Sequence, residues 1–312
     1  MHRYTRHKIT GSLGKSYRSL PGAPRLAPMT ELVTTTVTDG IAQVRLNRPD
    51  KLNGLTLELL HGLVDTAHAV RADRSVRAIV LAGEGRSFCS GMDFQTVRQS
   101  DLVRGFVPHP LRGTNIFQEA CWVWRRLPIP VIAAVRGHCF GGGLQLATGT
   151  DYRITTADAQ WSVLETKWGL VPDMSGVQAL SQLIGIDRAK RLTWTGEIVT
   201  GEEAVAVGLA SELSDDPVAA ATELALRIAE RSPDAVAGGK RLFDATWSRG
   251  PWRTFNRERL EQAVLLAAPN TAVARTASIA AAKAAKAAKK AGGSVLTQTR
   301  AARPAYKPRL FR

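Results

Sequence analysis

The chain predicts an α/β fold followed by a helical region, and three stretches carry that prediction. Val131–Val135 (VIAAV) leads through the glycines of GHCFGGGLQLA into an amphipathic stretch from about residue 142, which makes a strand–turn–helix unit. A second buried run, VRAIVL at 76–81, opens onto another glycine loop at 83–91. From about residue 176 the apolar residues recur at helical spacing. Stacked strand–turn–helix units form α/β layers whose ligand loops gather at the carboxyl ends of the strands.

The elements follow in chain order. Residues 1–30, rich in Arg, Ser, Gly and Pro, read as an unfolded basic leader. A start upstream of the true Met29, a disordered extension, and an Arg/Ser-rich transit peptide all fit it, the first two better. The α/β core is expected over 31–210. LVTTTV, Asp39-Gly40 and IAQVRL form a hairpin that ends at Asn47-Arg48-Pro49-Asp50. Thr56 caps a helix over 57–71, and a second helix spans 115–126, where Ile116, Ala120, Val123 and Trp124 share a face before Pro128 and Pro130 stop it. Strands near 152–155 and 160–164 precede helices near 176–184, 187–195 and 201–208, the last with Thr200 and Glu203 as a capping box. A helical region over 211–270 adds segments near 217–231 and 252–267. The tail, 271–312, has high helix propensity in AAAKAAKAAKKA but almost no bulky apolar face, and ends in a basic segment that reads as disordered.

Charge is unevenly distributed, and that decides what it means. The net charge is +15, yet residues 1–30 and 271–312 hold 16 of the 42 basic residues and no acid, which leaves 26 basic against 27 acidic residues between them. The body is therefore near neutral, and a nucleic-acid or acidic partner belongs to the tails if anywhere. Such binding would be nonspecific, since only Tyr306 and Phe311 interrupt the basic C-terminus. No run approaches the ~20 apolar residues of a membrane helix. Cys89, Cys121 and Cys139 are odd in number and lack paired metal-ligand spacing, so neither a disulfide framework nor zinc is expected and a reducing, cytoplasmic setting fits.

The glycines then need a ligand. GxGxxG fails at Leu146, Leu144 and Gln145 stand where a phosphate loop needs Lys and Ser/Thr, and GxSxG is absent because Gly85-Arg86-Ser87 continues as Phe88-Cys89. What remains is bare backbone at a helix N-terminus, suited either to close strand–helix packing or to one concentrated negative charge such as an enolate oxygen. GEGRSFCSGMDF, 83–94, can aim the Met92 N–H at the same point, and two N–H donors from separate loops define an oxyanion hole.

At these residues the chain resembles the crotonase (enoyl-CoA hydratase/isomerase) superfamily. NRPDKLNGLT, AIVLAGEGRSFCSGMDF, PVIAAVRGHCFGGGLQLATGTDYRI, WGLVPDMSGVQALSQLIG and AKRLTWTGEIVTGEEAVAVGLASEL are similar to its signature segments in order and spacing, over about 32–250. The resemblance implies a spiral core of ββα repeats followed by a C-terminal helical region. It also implies an acyl-CoA substrate with no separate cofactor, homotrimers or hexamers, and Met92 and Gly142 as the N–H pair on the thioester oxygen. Some relatives bind RNA, which keeps a scaffold role with basic tails as the reading from another class.

The carboxylates decide the reaction. Hydratases of this family use one glutamate two residues after the last glycine and a second twenty residues later; here those places hold Gln145 and Glu165. An amide orients a water but cannot take and return its proton, so a Glu165-mediated double-bond shift is favoured over hydration. Trp161, Val163, Leu164 and Trp168 around Glu165 are expected to raise its pKa. Asp173 resembles the second acid of dienoyl-CoA isomerases, although capping of the next helix explains it equally. His138 reads as a packed or hydrogen-bonded residue, and Ser87, Ser90 and Asp93 as loop-shaping ones.

Overall fold

The computed structural model describes residues 32–97, 103–290 and 304–310; the leader at 1–30 and most of the basic C-terminus lie outside them. The hairpin forms as expected. β1 (Val33–Thr38) and β2 (Ile41–Leu46) pair antiparallel around Asp39 and Gly40, whose φ values of 53° and 77° are the left-handed turn that closes Thr38 onto Ile41. β3 (Ala78–Gly83), β4 (Val131–Val135), β6 (Tyr152–Thr155) and β9 (Glu212–Leu213) then add in parallel, giving the order β1-β2-β3-β4-β6-β9. β5 (His138–Phe140), β7 (Gln160–Ser162) and β8 (Val199–Thr200) form a second, three-stranded sheet. The chain passes from the first sheet to the second and back, so β4 runs on into β5 and β6 into β7.

The helices cover this frame as their caps dictate. α1 (Leu57–Ala72) starts at Thr56, whose hydroxyl accepts the Leu59 N–H, and α2 (Ile116–Arg126) starts at an Asn115/Gln118 capping box. α3 (Gly142–Thr148), α4 (Gly176–Ile184), α5 (Ile186–Thr195) and α6 (Gly201–Ala206) follow, the last with the expected Thr200/Glu203 box. α7 (Pro217–Ala229) lies on the outer face of the large sheet. Alternation along β3 explains why: Ala78, Val80 and Ala82 pack toward Ala221, Ala225 and Ala229 of α7, whereas Ile79 and Leu81 enter the main core with Leu59, Leu63 and Trp124.

Two departures from the sequence reading stand out. α8 (Pro233–Thr246) was not expected, because Gly238 and Gly239 depress its intrinsic propensity. Ser232 caps it, Pro233 sits in its first turn, and Lys240 Nζ fixes it by donating to Asp151 (2.6 Å), Trp124 O and Ile129 O (both 3.0 Å). α9 (Pro251–Ala267) and α10 (Pro269–Lys290) complete a helical arm. Second, the final basic segment was expected to be disordered, but residues 304–310 pack against the body and bury Arg309 to 1% exposure.

Candidate active site

The two glycine loops meet through main-chain bonds. Cys89 pairs with Cys139 as a parallel bridge, its N–H donating to His138 O (2.9 Å) and its carbonyl accepting the Phe140 N–H (3.0 Å). The approach leaves no room for side chains: a Cβ on Gly143 would stand 2.6 Å from Cys89 O, and one on Gly91 3.0 Å from Phe140 O and 3.7 Å from Gly142 N. The main chain of Gly91, next to Met92, is thereby brought up to Gly142 at the start of α3. Leu55 donates to Gly91 O and accepts from the Asp93 N–H, so the pairing skips Met92 N–H. Gly142 is the first residue of α3, where no backbone acceptor lies one turn back.

Buried side chains stitch this frame together. Asn53, fully buried at φ 55°, donates to Glu84 O (2.9 Å) and Ser87 O (2.8 Å) and accepts the Arg48 N–H (2.9 Å), which ties the loop after β2 to the loop after β3. Arg48 also pairs with Asp93 at 3.0 Å. Burial works to raise the Asp93 carboxyl, but the Arg48 and Thr96 hydrogen bonds outweigh it and hold the group below its ordinary value. Ser87 Oγ lies 2.8 Å from His138 Nδ1, so His138 is hydrogen-bonded as expected. Cys89 is enclosed and burial pushes its thiol up to about 12, which leaves it inert.

Glu165, Gln145 and Gly141 converge at one point. A Cβ on Gly141, at φ 50°, would lie 3.4 Å from Glu165 Oε1 and 3.9 Å from Oε2. Gln145, 1% exposed, donates from Nε2 to Glu165 Oε1 at 2.5 Å, and its own oxygen accepts the Met174 N–H (2.8 Å) and the Gly176 N–H (2.9 Å). Those two acceptances fix which way the amide faces. Glu165 Oε2 is buried and has no hydrogen-bond partner among the described residues. Burial raises the Glu165 pKa, its own N–H and Gln145 oppose the rise, and the Asp173 charge adds to it. Burial raises Asp173 as well.

Some sequence expectations change here. Trp161 and Val163 are buried beside Glu165, but Trp168 is 66% exposed and meets Phe94 instead, ring centroids 5.7 Å apart. Trp168 closes the short 3-10 turn Glu165–Trp168. Asp173 does not cap α4. Ser175 holds that position, at φ 70° and without a side-chain capping bond, and the Gln145 oxygen satisfies the Gly176 N–H in its place. The Asn53 and Arg48–Asp93 ties were missed, although Asn53 stands in a turn-rich NRPDKLNG stretch that marks a structured loop.

A family model described as enoyl-CoA hydratase/isomerase matches residues 36–291. The chain belongs to the enoyl-CoA hydratase/isomerase family. The match runs past residue 250, where the sequence resemblance had thinned, and takes in α9 and α10. Among relatives of this family member, a short-chain-enoyl-CoA hydratase of Clostridium acetobutylicum is 31% identical over 207 residues, 65% of this chain and 77% of the relative. The mitochondrial Delta(3,5)-Delta(2,4)-dienoyl-CoA isomerase of Rattus norvegicus is 34% identical over 211 residues, 64% of each chain. The crystal structure of an enoyl-CoA hydratase of Mycobacterium smegmatis superposes with a TM-score of 0.70 at 28% identity, covering 80% of this chain and 96% of that one. A Thermobifida fusca structure in complex with CoA gives 0.67 at 30% identity, covering 76% and 93%. The family member is thus a crotonase-fold enzyme with relatives among both hydratases and isomerases.

Proposed function

We propose that the enzyme moves a double bond in an enoyl-CoA thioester, with Glu165 as the principal proton carrier. In this reading the Glu165 carboxylate removes a proton from C2 of a 3-enoyl-CoA, and the charge spreads onto the thioester oxygen, where the Met92 and Gly142 N–H groups receive it. Each such donor is typically worth ~2.7–4 kcal/mol in the transition state. The proton, now on Glu165, returns to C4, and the product is the 2-enoyl isomer with no atom gained or lost. The carrying observation is the buried Glu165 Oε2, without a hydrogen-bond partner among the described residues, beside Gly141 and at the edge of the bare loop.

Hydration would require a second group that takes and returns a proton of water. Gln145 stands there, but an amide does not exchange protons near neutral pH, and its oxygen is already occupied by two backbone N–H groups. Asp173, raised by burial and electrostatically coupled to Glu165, is the second acid for a dienoyl substrate in this proposal. Incubation with 2-enoyl-CoA and 3-enoyl-CoA separately tests it: the two should interconvert, with C2 and C4 hydrogens exchanging in D2O. Rapid 3-hydroxyacyl-CoA formation that survives Glu165→Gln would sink the role of Glu165.

No cofactor is needed beyond the CoA of the substrate. Self-association into a trimer or hexamer is part of this proposal, supported by the exposed Phe243 of α8, Trp247 just after it, and Trp252 and Phe255 of α9. A cytoplasmic setting is supported by three buried cysteines that are all free thiols. No helix among the described residues is long and apolar enough to cross a membrane.

A further inference from the structure

We propose that residues 304–310 are a latch: they occupy, within the same chain, a peptide-binding groove formed by the turn after α1 and the first turns of α8 and α10. The groove reads both main chain and side chains. Arg309 Nη1 donates to Val76 O (2.8 Å) and Asp73 O (3.2 Å), and Nη2 donates to Arg71 O (2.5 Å). Arg71 lies in the last turn of α1, where carbonyls lack helical partners and the dipole favours a cation. Arg309 therefore supplies to α1 a C-terminal cap from 238 residues away in sequence.

The backbone of the segment is held as closely. Arg74 Nε donates to Arg309 O at 2.7 Å and Arg74 Nη2 donates to Leu310 O. Asp234, fully buried in the first turn of α8, accepts the Leu310 N–H at 2.6 Å on one oxygen and Asn270 Nδ2 at 2.8 Å on the other. The Asn270 amide in turn accepts the Lys307 N–H (2.8 Å) and donates to Lys307 O (3.0 Å), pairing with both main-chain groups of that residue as a neighbouring strand would. Tyr306 lies under the Arg77 guanidinium, 5.3 Å from the ring centroid. Main-chain bonds at 307 and 310 set the direction, and Tyr306 and Arg309 provide the selectivity, the division of labour of a peptide-recognition groove.

The chain can reach its own groove. α10 begins beside the groove at Asn270 and runs 22 residues, about 33 Å, to Lys290. Thirteen residues, the number between 290 and 304, span up to about 45 Å when extended, more than the length of α10. The occupied groove joins the roots of α8 and α10 to the end of α1, so the helical arm is tied to the α/β core by the last residues of the chain.

The test uses the full-length protein with a specific protease sequence placed within 291–303. After cleavage, the C-terminal fragment should co-elute with the body on gel filtration at micromolar concentration, and intact-complex mass should show one fragment per body. Arg309→Ala should weaken retention at least about tenfold, a difference of about 1.4 kcal/mol. Asn270→Ala, which leaves the α1 cap in place, should weaken it as well and serves if the Arg309 variant does not fold, as judged by far-UV circular dichroism. Prompt loss of the fragment from the wild-type body overturns the latch, as does equal retention in both variants. A fall in assembly mass of the uncut protein on Arg309→Ala would put a second copy's segment in the groove and overturn its occupation within one chain.

Discussion

Gln145 Nε2 lies 2.5 Å from Glu165 Oε1, while the Gln145 oxygen is held by two N–H groups of the 174–176 turn. The amide therefore bridges the carboxyl and the turn that carries Asp173, and it leaves Glu165 Oε2 as the free end of the pair. One residue sets the orientation of the carboxyl and the shape of the adjoining turn together.

Glu165→Gln should keep the fold and lose ~10²–10⁴ of turnover, the usual contribution of one general acid–base group. The measurement is steady-state kcat on 3-enoyl-CoA, with the melting temperature as the control. Gln145→Glu should raise 3-hydroxyacyl-CoA formation at the expense of isomerisation, because the new carboxyl would share a proton with Glu165 and the two would titrate as a pair. Product ratios by chromatography decide it.

The rate should rise with pH along a limb lying above the ordinary Glu value of 4.5, since burial favours the neutral acid and catalysis needs the ionised base. Gln145→Leu removes a hydrogen bond that favours ionisation and should move the limb up. Asp173→Asn removes a like charge and should move it down. The sign for stability is opposite to that of a salt-bridged acid. The cost of Glu165 to folding is absent below 4.5, grows as pH rises through the raised value and is complete above it. Comparing wild type with Glu165→Gln by denaturant unfolding at several pH values reads that cost directly.

Gly143→Ala should be worse than Gly142→Ala. The first Cβ meets backbone, Cys89 O at 2.6 Å, and separates the two loops. The second meets the ends of flexible side chains, Met174 Sδ at 2.7 Å and Leu55 Cδ1 at 2.8 Å. Loss of a donor position costs ~10²–10³ in kcat, so Gly143→Ala should lose that much and Gly142→Ala less.

Asn53→Ala leaves the carbonyls of Glu84 and Ser87 and the Arg48 N–H without their partner. At about 1–3 kcal/mol for such buried groups, the melting temperature should drop by roughly 2–12 °C. Turnover should fall with it, because Met92 belongs to the loop that Asn53 anchors.

What could be read from the sequence was what depends on near neighbours. The hairpin at Asp39-Gly40, the caps at Thr56 and Thr200, and the strand before the triple glycine are each local patterns, and each formed. The places of Gln145 and Glu165 came from the family resemblance, and their hydrogen bond came only from the structure. α8 was illegible because its anchor, Lys240, reaches partners 89 to 116 residues away that no local pattern reveals. The same is true of 304–310, whose basic composition suggests disorder while its partners lie more than 200 residues upstream or in the arm. Trp168 was misread because an apolar residue near a carboxyl in sequence need not cover it in space.

In the proposed reaction the two N–H groups that receive the charge belong to the main chain, at Met92 and Gly142. Replacing the side chain at 92 with any residue other than proline leaves its amide hydrogen in place, whereas a single codon change at 145, 165 or 173 alters which protons can move. The architecture is thus insulated from mutation at one end and open to it at the other, so a lineage built on this frame can trade one reaction for another without refolding.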